Sequence, residues 1–122
     1  MALPYSDHMS RPPNTVVETP PYLAQAKGVL SAEDRVAVID MIASDPKCGD
    51  LIVGSGGVRK VRYAVGNKGK CGGTRIVYAF HNEDYPVFLL AVFAKNERAT
   101  LSKAEVNALA KVVRMIFDHY GE

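Results

Sequence analysis

Two short stretches decide the fold of this chain: VRKVRYAV at residues 58–65 and RIVYAF at residues 75–80. In the first stretch, an apolar residue at every second position alternates with Lys60 and Arg62. A period of two in segments rich in β-branched and aromatic residues is typical of β-strands. A third run, VFLLAVF at residues 87–93, is apolar throughout and has the length of a buried strand. Short connections between the three runs predict an antiparallel meander.

Capping patterns predict two helices before these strands. The run TPP at residues 19–21 is typical of a helix start, in which a cap is followed by proline in the first turn. Ser31 with Asp34 three residues later is close to a capping box and predicts a second helix. That helix ends at Asp45-Pro46, because the residue before proline resists the α region. The apolar faces of the two helices are Tyr22, Ala26, Val29 and Leu30, and then Ala32, Val36, Ile39 and Ala43.

A third helix is predicted at the C-terminal end, where Ser102 and Glu105 form another capping pattern. Its apolar face comprises Val106, Leu109, Ala110, Val113, Ile116, Phe117 and Tyr120. Together the elements predict a small α+β domain with two N-terminal helices, a curved antiparallel sheet and a C-terminal helix. The helices are expected to cover one face of the sheet and to leave the other face exposed and basic.

The length of 122 residues predicts one domain, which we assign to residues 16–122. Residues 1–15 contain three prolines and little that can be buried, and they are predicted to be disordered. The run SDHMS at residues 6–10 is typical of a cloning scar. Residues 1–9 are therefore set aside from the fold.

The sequence shows no segment that would send the chain to a membrane. No apolar run approaches the roughly 20 residues of a spanning helix. No basic head followed by an apolar stretch predicts a signal peptide. Cys48 and Cys71 are far apart and have no CxxC spacing, which favours reduced thiols over a disulfide. The chain is predicted to be cytoplasmic.

Positive charge is concentrated in one part of the chain. Residues 51–82 contain no Asp or Glu, although the whole chain has a formal net charge of only +2. The cations of this stretch are Arg59, Lys60, Arg62, Lys68, Lys70 and Arg75. A block of cations without internal partners repels itself and is more easily tolerated where a polyanion neutralises it.

Three of these cations are predicted to lie together on the sheet. Lys60 and Arg62 share one face of their strand, and Arg75 opens the next strand. A solvated polar face is the ordinary explanation of such an alternation, but solvated faces mix both signs of charge. The lack of any acid across the two strands favours anion or nucleic-acid binding instead.

Neither a nucleotide cofactor nor a metal is predicted. The glycines at residues 54–57 lead into a strand, whereas a phosphate-cradling loop leads into a helix. Gly69-Lys70 is followed by Cys71, where a P-loop needs Ser or Thr. The histidines are scattered and the cysteines lack ligand spacing. His81, beside Asn82 at a strand end, is interpreted as a surface or turn residue.

Four runs follow one another in a specific order: GGVRKVRYA at residues 56–64, GKCGG at 69–73, RIVY at 75–78 and FAKNE at 93–97. Their order and spacing resemble the RelE/HigB-like toxins of bacterial type II toxin–antitoxin modules, most closely the HigB-like branch. The resemblance covers roughly residues 16–111. It implies a RelE-like fold, which agrees with the predicted elements.

The resemblance also implies an activity and a site. Toxins of this family are ribonucleases that cut mRNA, typically in the ribosomal A site, and are silenced by a cognate antitoxin. The resemblance implies a HigA-like antitoxin with a helix-turn-helix part. The catalytic positions would be Lys60, Arg62, Arg75 and Lys95. RNA binding is predicted for Arg59, for the loop residues Lys68 and Lys70, and for Glu97 of the matched run. Tyr120 lies too far along the chain to match the tyrosine that relatives place near the C-terminal helix.

The implied chemistry suits these residue types. RNA is cut when its own 2′-OH attacks the adjacent phosphate, and an enzyme aligns this attack, stabilises the developing charge and moves protons. Arginines clamp phosphate oxygens, and a lysine crowded by other cations loses its proton more readily, which makes Lys60 the candidate base. No His/Glu pair is evident, which suggests that the ribosome supplies alignment. A non-catalytic binding module using the same face and a ParE-like gyrase poison remain the alternatives.

Overall fold

The computed structural model describes residues 14–65, 73–94 and 101–120. Its elements are, in chain order, β1 (Val16–Glu18), α1 (Pro20–Ala26), α2 (Ala32–Ser44), β2 (Asp50–Leu51), β3 (Val58–Tyr63), β4 (Thr74–Ala79), β5 (Val87–Ala94) and α3 (Lys103–Tyr120). No helix in the described part of the chain is both long enough and apolar enough to cross a membrane. The structure confirms the predicted α+β class and the order of helices and central strands.

The strands form one five-stranded sheet in the order β1-β5-β4-β3-β2. The predicted antiparallel meander is its centre, because β4 pairs antiparallel with both β3 and β5. Two short edge strands were not predicted. At one edge β1 runs parallel to β5, which makes the sheet mixed, and at the other edge β2 runs antiparallel to β3. A register shift between Val77 and Tyr78 interrupts the ladder from β4 to β5.

Local sequence explains where the helices begin. The Thr19 hydroxyl accepts a hydrogen bond from the Tyr22 N–H, directly before the proline-led first turn of α1. Ser31 and Asp34 form a full capping box at α2, with reciprocal bonds of 3.0 and 3.2 Å. Ser102 and Glu105 do the same at α3, at 3.1 and 2.8 Å. All three predicted starts are therefore confirmed.

Helices cover both faces of the sheet, so the expectation that they share one face is wrong. α1 and α2 pack on the face that presents Ile76 and Tyr78. α3 packs on the opposite face, where Val113 and Phe117 belong to one buried cluster with Val58, Val77 and Ala79. The physical reason is that β4 is apolar on both sides, and a strand of that kind needs a cover on each face.

The buried stripe of α2 agrees only in part with the predicted one, since Ala43 is buried as predicted. Val36 is 58% exposed, whereas Val38 and Ile42 are fully buried. Both stripes contain apolar residues at helical spacing, so the sequence pattern alone does not choose between them. Asp34 decides the rotation, because it is buried and accepts a hydrogen bond of 2.8 Å from the Tyr63 hydroxyl on β3. This bond turns the side of α2 that bears Asp34 and Val38 toward the sheet.

The first helix protects the edge of β5. β1 pairs only with the beginning of β5, at residues 87–89. Beyond that point the Gln25 side chain of α1 accepts a hydrogen bond of 3.0 Å from the Val92 N–H. A two-bond ion pair joins Glu18 of β1 to Arg35 of α2, at 3.0 and 3.1 Å. A covered edge of this kind does not recruit strands from other chains.

A buried tyrosine fixes the connection between α2 and β2. The Tyr78 hydroxyl accepts a hydrogen bond of 2.8 Å from the Gly49 N–H and donates one of 2.7 Å to the Pro46 carbonyl. Burial is the largest of the effects that raise the pKa of Tyr78 above its ordinary value. A Cβ on Gly49 would lie 2.8 Å from the Lys60 carbonyl oxygen and 2.9 Å from the Tyr78 hydroxyl, so only glycine fits between them.

Removing the Tyr78 hydroxyl should destabilise the fold. In Tyr78→Phe the buried Gly49 N–H loses its partner, and an unsatisfied buried group of this kind costs about 1–3 kcal/mol. Urea unfolding followed by circular dichroism measures this loss. Tyr120→Phe is the control, because Tyr120 is 54% exposed and its loss of a hydroxyl should change stability by less than about 0.5 kcal/mol. Equal stability of the two variants would contradict the anchoring role of Tyr78.

Tyr22 should behave in the opposite way. Its side chain is fully buried, and its hydroxyl has no hydrogen-bond partner among the described residues. Burial, assisted by Glu18, raises its pKa to about 12. The unfolded chain therefore ionises first, near pH 10, and this tyrosine contributes stability that is lost as the pH rises from 10 to 12.

Tyr22→Phe should therefore leave stability at pH 7 unchanged or higher and should reduce the loss of stability above pH 10. Urea midpoints measured between pH 7 and pH 11 for the variant and the wild type test both effects. A variant that is clearly less stable at pH 7 would show that the hydroxyl has a partner.

Candidate nucleic-acid interface

Lys60, Arg62 and Arg75 form the basic patch, which lies on the α3 side of the sheet. Arg62 and Arg75 are directly opposite each other in the ladder of β3 and β4, and Lys60 is opposite Val77. Opposed residues of an antiparallel pair point to the same face, with Cβ atoms roughly 4.5–5.5 Å apart. Two like charges in such a position repel each other. The pairing therefore favours an anion that bridges the two guanidinium groups.

The two arginines converge over one glycine. A Cβ placed on Gly73 would lie 3.3 Å from Nη1 of Arg75 and 3.4 Å from Cγ of Arg62. Gly73 is buried beneath them, and the absence of a side chain lets both arginines lie close to the backbone. Nη1 of Arg75 is itself buried and has no hydrogen-bond partner in the described part of the chain. The N–H groups of Nη1 therefore suit an acceptor that the described residues do not supply.

α3 limits the patch to one end of its sheet face. Val58 shares this face with Lys60 but is fully buried in the cluster that α3 covers. Phe93 lies opposite Arg75 on β5 and belongs to the same cluster. The patch is therefore a small cationic area beside an apolar wall. It is smaller than the fully exposed basic face that the sequence predicted.

Arg59 is not brought to the patch. It points to the opposite face, where its Nη1 donates a hydrogen bond of 2.8 Å to the Gly49 carbonyl. The other predicted site residues, Lys68, Lys70, Lys95 and Glu97, lie outside the described residues. The described residues next to these segments lie close to the patch. Tyr63 follows Arg62 and pairs with Thr74, which precedes Arg75, and Thr74 in turn pairs with Ala94.

The C-terminal aromatic residues lie at the other end of the sheet. Tyr120 contacts Tyr85 and Phe88, with ring centroids 5.9 and 6.1 Å apart. His81 stacks with Phe117 at 4.9 Å. Phe88 pairs with Ala79 of β4, which is four positions from Arg75 and therefore about 13 Å along the strand. These rings fasten the end of α3 to the sheet and do not border the basic patch.

Sequence reasoning missed one charged residue beside the patch. Asp50 lies directly opposite Lys60 in the ladder of β2 and β3. β2 has only two residues, too few for any periodic pattern, and the acid-free stretch begins one residue later, at Leu51. Only the register of the sheet reveals this neighbour.

Comparison with known proteins gives the family. The family described as the RelE toxin of the RelE / RelB toxin-antitoxin system matches residues 31–121, which is most of the chain. The chain therefore belongs to the RelE toxin family. A structure of the E. coli toxin RelE, an arginine-to-alanine double mutant in the free state, has a similar fold with a TM-score of 0.54. It is 18% identical, and the match covers 80% of this chain and 94% of that one.

If the patch binds RNA backbone, its arginines should determine the salt dependence of binding. Each phosphate contact to single-stranded RNA contributes about 0.7 to the slope of log K against log salt. Replacing both Arg62 and Arg75 with Gln should therefore reduce the slope by about 1.4. Fluorescence anisotropy with a labelled oligonucleotide measures this slope. Lys27→Gln is the matched control, because Lys27 is an exposed cation after α1, and an equal change in both proteins would argue against the patch.

Proposed function

We propose that this toxin is an endoribonuclease that cleaves mRNA on the ribosome. The observation that supports the proposal best is the convergence of Arg62 and Arg75 over Gly73, where a buried guanidinium nitrogen of Arg75 has no hydrogen-bond partner among the described residues. A phosphodiester that becomes more negative during cleavage is the kind of acceptor that suits such a pair.

In the proposed reaction the protein binds a phosphodiester against the basic patch. The 2′-oxygen attacks the phosphorus, and the bond from phosphorus to the 5′-oxygen breaks. The arginines stabilise the negative charge on the phosphate oxygens, and Lys60 takes part in proton transfer. Lys95 keeps the catalytic role that the family resemblance implies, and Lys68, Lys70 and Glu97 keep their predicted role in RNA binding. Arg59, which faces away from the patch, is proposed to support the backbone rather than to touch RNA.

The ribosome is proposed to complete the site. Among the described residues, the patch lies at the uncovered end of one sheet face and leaves a bound nucleotide largely exposed. A bound ribosome would hold the mRNA against the patch and align the 2′-oxygen with the phosphorus, an effect that is worth many kcal/mol in catalysis. The proposed location is the cytoplasm, where translation takes place.

We further propose that the antitoxin is HigA-like and carries a helix-turn-helix part. It could cover the basic patch with acidic residues or block entry to the ribosome by its bulk. We favour blocking by bulk, because α1 and α2 present a separate surface on the opposite side of the sheet.

Arg75→Ala should abolish toxicity while the fold survives. The loss of one donor to a developing anion costs about 2–4 kcal/mol of transition-state stabilisation. Primer extension on mRNA from cells that express the wild type should show discrete cuts, and the variant should show none. Lys27→Ala should cut like the wild type, and circular dichroism should show that all three proteins are folded.

The same cells separate the alternatives. Growth arrest without cuts in mRNA would support a non-catalytic binding module. Loss of DNA synthesis before protein synthesis, with DNA breaks, would support a gyrase poison. A folded Arg75→Ala protein that remains fully toxic would remove Arg75 from the site.

A further inference from the structure

The side chains of Asp50 and Lys60 leave the same face of the sheet. Asp50 is the Cα partner of Lys60 in the antiparallel ladder of β2 and β3. The ladder continues at the next pair, where the Ile52 N–H donates a hydrogen bond of 2.9 Å to the Val58 carbonyl. Ile52 packs against the cluster beneath α3, as Val58 does. Because residues two apart share a face, Asp50 lies on the α3 side with the basic patch.

Both backbone polar groups of Gly49, the residue before Asp50, are hydrogen-bonded. The Gly49 N–H donates to the buried Tyr78 hydroxyl at 2.8 Å, and the Gly49 carbonyl accepts from Nη1 of Arg59 at 2.8 Å. A Cβ at residue 49 would meet both the Lys60 carbonyl and the Tyr78 hydroxyl within 3.0 Å. A two-residue edge strand would otherwise fray, and these contacts fix the position of its first residue.

The carboxylate of Asp50 remains available to a substrate. Asp50 is exposed, and no ion pair joins it to Lys60 or to any other described residue. The residue is thus fixed through its backbone neighbour, while its charged group has no partner within the described part of the chain.

The chemistry of the patch needs such a group. Lys60, Arg62 and Arg75 are three cations, which suit phosphate binding and proton donation. Attack by the 2′-oxygen also needs an acceptor for its proton, and arginine does not serve because it stays protonated. A carboxylate is a competent acceptor at neutral pH.

We propose, on the basis of the proposed function, that Asp50 is the general base of the cleavage reaction and that Lys60 is the general acid. Asp50 takes the proton of the 2′-OH as the 2′-oxygen bonds to phosphorus. The bond from phosphorus to the 5′-oxygen breaks, and Lys60 gives its proton to that oxygen. The products are a 2′,3′-cyclic phosphate and a 5′-hydroxyl, and proton exchange with water restores both residues.

Asp50→Asn tests the assignment in single-turnover cleavage of mRNA on programmed ribosomes. The loss of a positioned base should slow the cut by about 10²–10⁴-fold. Asp50→Glu keeps the carboxylate and should recover part of the rate. Ribosome binding should be unchanged in both variants. Asp40→Asn, which neutralises an exposed carboxylate on α2, should cut like the wild type.

A substrate with sulfur in place of the 5′-bridging oxygen separates base from acid. The sulfur leaves without a proton, so the substrate removes the need for a general acid. Asp50→Asn should stay slow on this substrate, whereas Lys60→Met should recover most of its rate. Recovery of Asp50→Asn would overturn the assignment of Asp50 as the base.

The result for the wild type distinguishes the two proposals. A wild type that cuts, beside an Asp50→Asn protein that cuts within threefold of it, would overturn only the role of Asp50. A folded, ribosome-bound wild type that leaves mRNA intact would overturn the endoribonuclease proposal and this inference with it.

Discussion

The burial of β4 on both faces is the constraint on which the rest of the structure depends. Ile76 and Tyr78 need a cover on one side, and Val77 and Ala79 need one on the other. The chain meets this need with helices from both of its ends, α1 and α2 from one and α3 from the other. Arg75, at the start of β4, is the point where the cover stops. The open end of one sheet face is what remains for binding an anion.

The parts of the fold that depend on local chemistry could be predicted from the sequence. The three capping patterns, the alternation in β3 and the apolar run of β5 each correspond to an element of the structure. The shared face of Lys60 and Arg62 also followed from the period of two, and Arg75 was correctly placed at the start of the neighbouring strand. In these cases the signal lies within a few residues and does not depend on distant contacts.

What could not be predicted depends on contacts between distant segments. The edge strands β1 and β2 have three and two residues, and only their neighbours make them strands. The buried side of α2 is chosen by a bond from Asp34 to Tyr63, 29 positions along the chain. In the sequence Arg59 is one more cation of the basic stretch. In the sheet, however, its side chain lies on the other face, where it donates a hydrogen bond to the Gly49 carbonyl. The position of Asp50 opposite Lys60 could not be predicted for the same reason.

The pairing of β1 with β5 has a consequence for the synthesis of the protein. Val16 is hydrogen-bonded to a strand that begins at Val87, and β5 in turn completes the pairing of β4. A chain leaves the ribosome N-terminus first, so β1 and α1 emerge long before the strand that receives them. Contacts between such distant segments form slowly. The five-stranded sheet is therefore complete only after the chain has been made through β5, although β3 and β4, which carry the two arginines, can pair before that point.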